Sequence, residues 1–193
     1  PGDCAKIATD KTVYVAPVDV AAKIGAAATA VKPGDEVTVA GLKVKAIAAY
    51  NINKFRAPGV PFHPKANNWV GYVVTLSDGT TVYHAGDTAL FGDMRLIGEL
   101  YRPDVAFLPI GGHFTMDVFE AVKAAELVSP EVVIPIHYDT FPPIQIDRQA
   151  AATAFSERGI ELLLPAIGDK AFADAKELVL VNWGGKPSEV LQS

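Results

Sequence analysis

From residue 89 to about residue 164 the chain alternates between helical and extended apolar patterns, an order that neither a helix bundle nor a closed β-barrel accommodates. The segments read as helix 89–101, strand 104–109, helix 117–128, strand 131–136, helix 147–158 and strand 160–164. Leu96, Ile97 and Leu100 form the expected apolar face of the first helix. Asp117, with Glu120 three residues on, resembles a capping box opening the second. Earlier in the chain the pattern is different. Glu36 to Tyr50 alternates around Ala40-Gly41, and Trp69 to Leu76 with Thr81 to His84 flanks Ser77-Asp78-Gly79, so both stretches read as hairpins. Thr12 to Val15 reads as a strand that leads through Pro17 into an alanine-rich helix ending near Ala28. Asn51 to Asn68 shows little periodicity and is expected to be a long functional loop. Glu177 to Asn182 reads as a last strand, and the tail from Gly184 is expected to fray. Hairpins followed by alternating helices and strands predict an α/β layered domain, a single one over residues 1–193.

Charge narrows the function classes. With 17 basic against 22 acidic residues the net charge is −5, and no Lys/Arg cluster is present. A nucleic-acid or anionic-membrane partner, which needs a basic stripe for counterion release, is therefore not expected. The longest apolar stretches, such as Val105 to Ile110 and Val132 to Ile136, fall far short of the ~20 residues that span a bilayer. Cys4, the single cysteine, has no partner for an internal disulfide, and no charged-then-apolar leader opens the sequence, so a reducing cytoplasm is the expected compartment.

In open α/β sheets ligands sit beyond the carboxyl ends of the strands. Three such ends carry unusual residues: Tyr83-His84-Ala85-Gly86-Asp87-Thr88, Pro109 to Met116, and Ile134-Pro135-Ile136-His137-Tyr138. Three of the four histidines lie in them, and the fourth, His63, lies in the long segment before Pro64. Imidazole and carboxylate are the preferred ligands, after thiolate, of a borderline divalent ion such as zinc. Gly86 allows a sharp turn that aims the Asp87 carboxylate off the sheet edge, and Gly111-Gly112 does the same for His113. Each residue also has a plain structural reading. Asp87-Thr88 could cap the following helix, and His137 could be a satisfied edge histidine. His84, facing opposite to Tyr83 by strand alternation, is read as structural. His113 suits a substrate contact better than a ligand.

The stretches His84 to Thr88, Leu108 to Met116 and Ile134 to Tyr138, in this order, closely resemble the metallo-β-lactamase superfamily, nearest to the metal-dependent hydrolases related to ascorbate-6-phosphate lactonase. The similarity runs from about residue 3 to 168. It implies an αββα sandwich whose edge binds one or two divalent ions, zinc first and manganese as the alternative. It further implies that Asp87 is the shared carboxylate ligand and His137 the last histidine ligand. Where a third ligand histidine is expected, after the strand ending at Ala49-Tyr50, this sequence has Asn51, with His63 as the replacement from the same segment. The family signature His-x-His-x-Asp-His is absent, and Pro1 to Ile7 resembles the helix after it, which implies that the N-terminal strands are missing.

The activity implied is hydrolysis of a small-molecule lactone, other ester or phosphoester by metal-activated water, with Asn51, His113, Thr115 and Tyr138 orienting the substrate. Two ligands are fewer than a catalytic zinc site holds. Residues 1–193 alone are thus expected to bind metal weakly and to be inactive. They are also expected to expose an unpaired edge near Thr12 to Ala16 that a second copy of the chain would cover. Two other readings compete: a non-catalytic binding or scaffold protein with a degenerate metal site, favoured by Asn51 and the missing signature, and a nucleic-acid-processing member, disfavoured by the charge.

Overall fold

The computed structural model describes residues 4–63, 69–165, 170–173 and 178–181, which divide into two compact units. The smaller unit combines residues 1–32 with 165–193. It contains helix α1 (Cys4–Ile7), strand β1 (Tyr14–Pro17), helix α2 (Val18–Ile24) and strand β2 (Ala28–Val31). Pro17 stands immediately before α2, as expected. The helix stops at Gly25, whose φ of 99° no helix continues through, and Ala28 to Val31 instead pair parallel with Tyr14 to Pro17. The alanine-rich helix is therefore shorter than its composition suggested. The segment near Thr12 to Ala16, expected to be unpaired, has a partner in β2.

The larger unit, residues 33–164, holds the sheet that carries the site. Its strands are β3 (Glu36–Val39), β4 (Leu42–Ala48), β5 (Asn51–Ala57), β6 (Val60–His63), β7 (Val70–Thr75), β8 (Thr81–His84), β9 (Val105–Pro109), β10 (Val132–Ile136) and β11 (Glu161–Leu162). Helices α3 (Met94–Tyr101), α4 (Val118–Val128) and α5 (Arg148–Ser156) alternate with the later strands. Two further strands, β12 (Lys170–Ala173) and β13 (Leu178–Val181), pair antiparallel in the smaller unit. β13 falls where the last strand was expected, while Gly184 and the rest of the tail lie outside the described residues.

Seven strands form one sheet in the order β11-β10-β9-β8-β7-β4-β3. β8, β9, β10 and β11 run parallel, and β7, β4 and β3 alternate against them. Two reversals bring β4 back to the direction of β8, so the carboxyl ends of β4, β8, β9 and β10 share one rim. The parallel strands Val-Ala-Phe-Leu-Pro and Val-Val-Ile-Pro-Ile are apolar almost throughout because α4 packs on β9 and α5 on β11. Tyr83, Leu108 and Val133 form a core with Met94, Ile97, Ala121, Ala125, Val128 and Phe155. Both expected hairpins are present, with Ala40 and Gly41 at φ 49° and 81°, and Gly79 at φ 89°.

Two expectations fail here. α3 begins at Met94 rather than 89 and buries Met94 and Ile97, whereas Leu96 and Leu100 are exposed. The segment after Tyr50 is not an irregular loop: β5 and β6 form a hairpin closed by Pro58-Gly59, with Gly59 at φ 72°. No helix among the described residues is long and apolar enough to cross a membrane.

Candidate functional site

The end of β8 is gripped from below before it turns. A Cβ on Gly71 of β7 would lie 2.8 Å from the His84 carbonyl oxygen, so only glycine admits this approach. Ala85 is buried and its N–H donates to the Phe107 carbonyl at 3.0 Å, after which Gly86, at φ 67°, swings the chain outward. Asp87 follows with its side chain about half exposed. It caps no helix, since α3 starts only after Asp93. Thr88 is instead a tie between strand ends: its hydroxyl donates towards the Tyr50 carbonyl at 3.1 Å and the Ala89 carbonyl at 2.9 Å, and accepts from the Tyr50 N–H at 3.1 Å. The end of β4 is thereby fixed to the end of β8.

β10 delivers His137 in a left-handed conformation, φ 57°, that a non-glycine residue holds only under surrounding constraint. The constraint is visible on both sides. A Cβ at Gly111, just past β9, would overlap the His137 carbonyl oxygen and lie 2.9 Å from Ile144 Cβ. Asp139, also left-handed at φ 58°, accepts from Ile146 N–H at 3.0 Å and Arg148 Nε at 2.7 Å, while its own N–H donates to the Ile144 carbonyl at 2.9 Å. The loop from 137 to 148 is thus closed on itself.

His137 Nε2 stands 3.9 Å from Asp87 Oδ1. That is too long for a hydrogen bond and about 0.5 Å wider than the ~3.4 Å between two donors of a tetrahedral ion with bonds of about 2.0–2.2 Å, so a small closing movement would bring both side chains onto one ion. His137 Nδ1 is buried and has no hydrogen-bond partner among the described residues. One nitrogen and one carboxylate oxygen therefore fit two positions of a metal's ligand set. No group of three or more His, Cys, Asp and Glu suited to a metal ion occurs among the described residues.

The other predicted residues are distributed around this pair. Asn51 is fully buried and its Nδ2 donates to the Phe114 carbonyl at 2.6 Å, which makes it a strut between the start of β5 and the 111–117 loop. His63 pairs in backbone register with Asn51. His113 is exposed, with its ring edge on Phe114 at 4.4 Å between centroids. Thr115 and Tyr138 are buried, and the hydroxyls of both lack hydrogen-bond partners among the described residues. Burial raises the Tyr138 pKa, and the Arg148 guanidinium, 5.5 Å above its ring, acts in the opposite sense. His84 is stacked on Phe107 at 5.4 Å and accepts from Gly86 N–H, in keeping with a structural role. Desolvation lowers its pKa although its outer edge reaches solvent, with the Asp87 charge opposing.

Residue-by-residue reading passed over Phe114, Phe141 and Asp139, and read Gly111 only as part of the turn that presents His113. Gly111 carried a signal, a glycine pair at a strand end. The rings and Asp139 matter only once β9 and β10 are neighbours.

The model of the Beta-lactamase superfamily domain matches residues 4–138. A UPF0173 metal-dependent hydrolase of Methanopyrus kandleri is 46% identical over 129 residues, 67% of this chain and 55% of that protein. One of Thermofilum pendens is 69% identical over 75 residues, 39% of this chain and 33% of that protein. Among solved structures, Igni18, a metallo hydrolase of the hyperthermophilic archaeon Ignicoccus hospitalis, superposes with a TM-score of 0.65 at 34% identity, covering 80% of this chain and 65% of Igni18. The chain spans only part of the length of each of these relatives. The matched segment contains the strand ends that carry Asp87 and His137, and the chain belongs to the β-lactamase superfamily.

Proposed function

We propose that this chain forms part of a metal-dependent hydrolase acting on a small-molecule lactone, other ester or phosphoester. The observation that carries the reading is the 3.9 Å approach of His137 Nε2 to Asp87 Oδ1 across one rim of the sheet. The metal-dependent hydrolase names of the relatives support it. Asp87 and His137 would hold a divalent cation, zinc or manganese. When bound, such a cation supplies Lewis acidity, bringing water to its nucleophilic form near neutral pH and drawing electron density from the bond under attack. The carboxylate offers negative charge at the rim, and the imidazole, locked by the 137–148 loop, offers a fixed nitrogen. His113, exposed and packed edge-on against Phe114, would orient substrate. Thr115, Tyr138 and Asn51 lie beneath the surface, where they support the rim.

The test is substitution of the two donors in the active protein. Asp87→Ala or His137→Ala lowers hydrolysis of small esters, lactones or phosphoesters at least ~100-fold and reduces bound metal, since each removes a ligand that sets water activation. Wild-type rates after either change would end the assignment. His113→Ala keeps the metal stoichiometry but changes KM or kcat, and loss of metal from that variant would make His113 a ligand.

Asp87 and His137, the two donors brought together among the described residues, are fewer than the three protein ligands of a catalytic zinc site. Residues 1–193 alone are accordingly expected to retain metal weakly and hydrolyse little, and near-stoichiometric metal in an active monomer would refute this. The competing reading, a binding protein that keeps the fold, draws support from Asn51, whose amide serves the Phe114 carbonyl at 2.6 Å. It predicts no hydrolysis under any metal loading.

A further inference from the structure

Three rings, His113, Phe114 and Phe141, line the rim beside His137, and the proposed chemistry uses only His113 among them. Phe114 stands at the centre, with the His113 ring at 4.4 Å, the Phe141 ring at 5.8 Å and tilted by 38°, and the His137 ring at 6.3 Å. Its backbone is held by the Asn51 amide. Phe141 is 43% exposed. It is extended, at φ −161°, immediately before Pro142-Pro143, and its carbonyl accepts from the Ile144 N–H at 3.1 Å.

A single exposed phenylalanine needs no explanation, and Phe119 on α4, 67% exposed, is one. The rim rings differ in two respects. They form a continuous row that starts at a candidate metal ligand, whereas scattered surface residues are not contiguous. They are also preorganised, because two prolines stiffen the backbone after Phe141 and Asn51 fixes Phe114, so binding on them requires little further ordering.

We propose that Phe114 and Phe141 form a platform for a flat aromatic group of the substrate, placing the scissile bond of an aryl ester over Asp87 and His137. This rests on the hydrolase reading above. Rings attract other rings in offset or edge-on geometries, and Phe114 already meets the His113 and His137 rings edge-on. An extended apolar chain would gain contact but not that preference. Phe114 packs on His137 and so serves as a positioning residue as well. Phe141, one ring farther out, is the specificity determinant that can be altered without disturbing the pair.

The experiment has a binding arm and a turnover arm. In the first, 2-naphthol, which carries no bond to hydrolyse, is titrated into the chain and followed by NMR. It should perturb the resonances of Phe141, Phe114 and His113. Phe141→Ala should weaken its affinity about fivefold and Phe141→Leu nearly as much, whereas Phe119→Ala should leave it unchanged. In the second, Phe141→Ala in the active protein should raise KM for 2-naphthyl acetate about fivefold, a larger effect than on methyl acetate, whereas Phe119→Ala should change neither. The two arms separate the failures. Naphthol binding at Phe141 without hydrolysis of either ester would overturn the hydrolase reading while the platform stands. Equal effects of Phe141→Ala and Phe119→Ala, full affinity in Phe141→Leu, or equal losses on both esters would overturn the platform.

Discussion

Two glycines, one at the rim and one away from it, show how much the packing depends on a missing Cβ. At Gly111 an added methyl group meets the His137 carbonyl oxygen, and at Gly98 it would come within 2.8 Å of the Leu127 carbonyl oxygen, where α3 crosses the end of α4. Neither neighbour is a flexible side-chain tip, so backbone must move in both cases, and overpacking of this kind costs about 1–3 kcal/mol. We therefore expect Gly98→Ala and Gly111→Ala to lower stability by similar amounts in urea unfolding. They should differ in a metal titration. Gly111→Ala displaces the residue that presents His137 and should weaken divalent-cation binding at least ~10-fold, whereas Gly98→Ala should leave it unchanged. Equal metal affinity in the two variants would mean that His137 is not held through Gly111. At this scale the sequence was readable where chemistry and backbone need coincide: Asp87 after Gly86, and His137 at the end of an apolar strand. Asn51 was legible as an oddity but not as a strut, because its partner, the Phe114 carbonyl, is 63 residues away.

Helix α4 was the element most fully legible. Asp117 Oδ1 accepts from the Glu120 N–H at 2.8 Å and Glu120 Oε2 from the Asp117 N–H at 3.1 Å, the reciprocal pair that the spacing implied. Glu120 does a second job, since Lys54 Nζ of β5 lies 3.4 Å from the same carboxylate oxygen and joins the β5–β6 hairpin to the start of α4. Asp117→Ala should lower stability by about 1 kcal/mol through the lost cap, seen as a lower urea midpoint at unchanged slope. A change in slope would instead indicate that the hairpin had come loose. The elements misread from sequence failed for separate reasons. The Pro58-Gly59 turn between Ala57 and Val60 was a hairpin signal, but the polar composition around it masked the alternation. β2 is decided by its parallel pairing with β1, which local propensity does not encode. α3 misleads because Gly98 lets it approach α4 on the Met94–Ile97 face, which leaves Leu96 and Leu100 in solvent.

Across the larger unit, strand order converts distant segments into one site. β8 and β10 both flank β9 in parallel, so Asp87 and His137, fifty positions apart in sequence, end on the same rim two strands apart, and β4 joins them through the Thr88–Tyr50 tie. The helix and strand alternation made a shared rim foreseeable. The 3.9 Å approach was not, because it depends on the left-handed turn at His137 and on how closely Gly111 lets β9 and β10 come together at their ends. If the two side chains hold one ion, they act as a unit and their losses cannot add. The double variant Asp87→Ala/His137→Ala should then be about as impaired as the worse single variant, giving a coupling energy well above the ~0.5 kcal/mol scatter of independent sites. Independent roles would multiply instead, each substitution removing its own factor from kcat/KM. A cycle measured on a cleaved ester, with metal content determined for all four proteins, decides between them. Additive losses at full metal occupancy would show that the two residues do not share an ion.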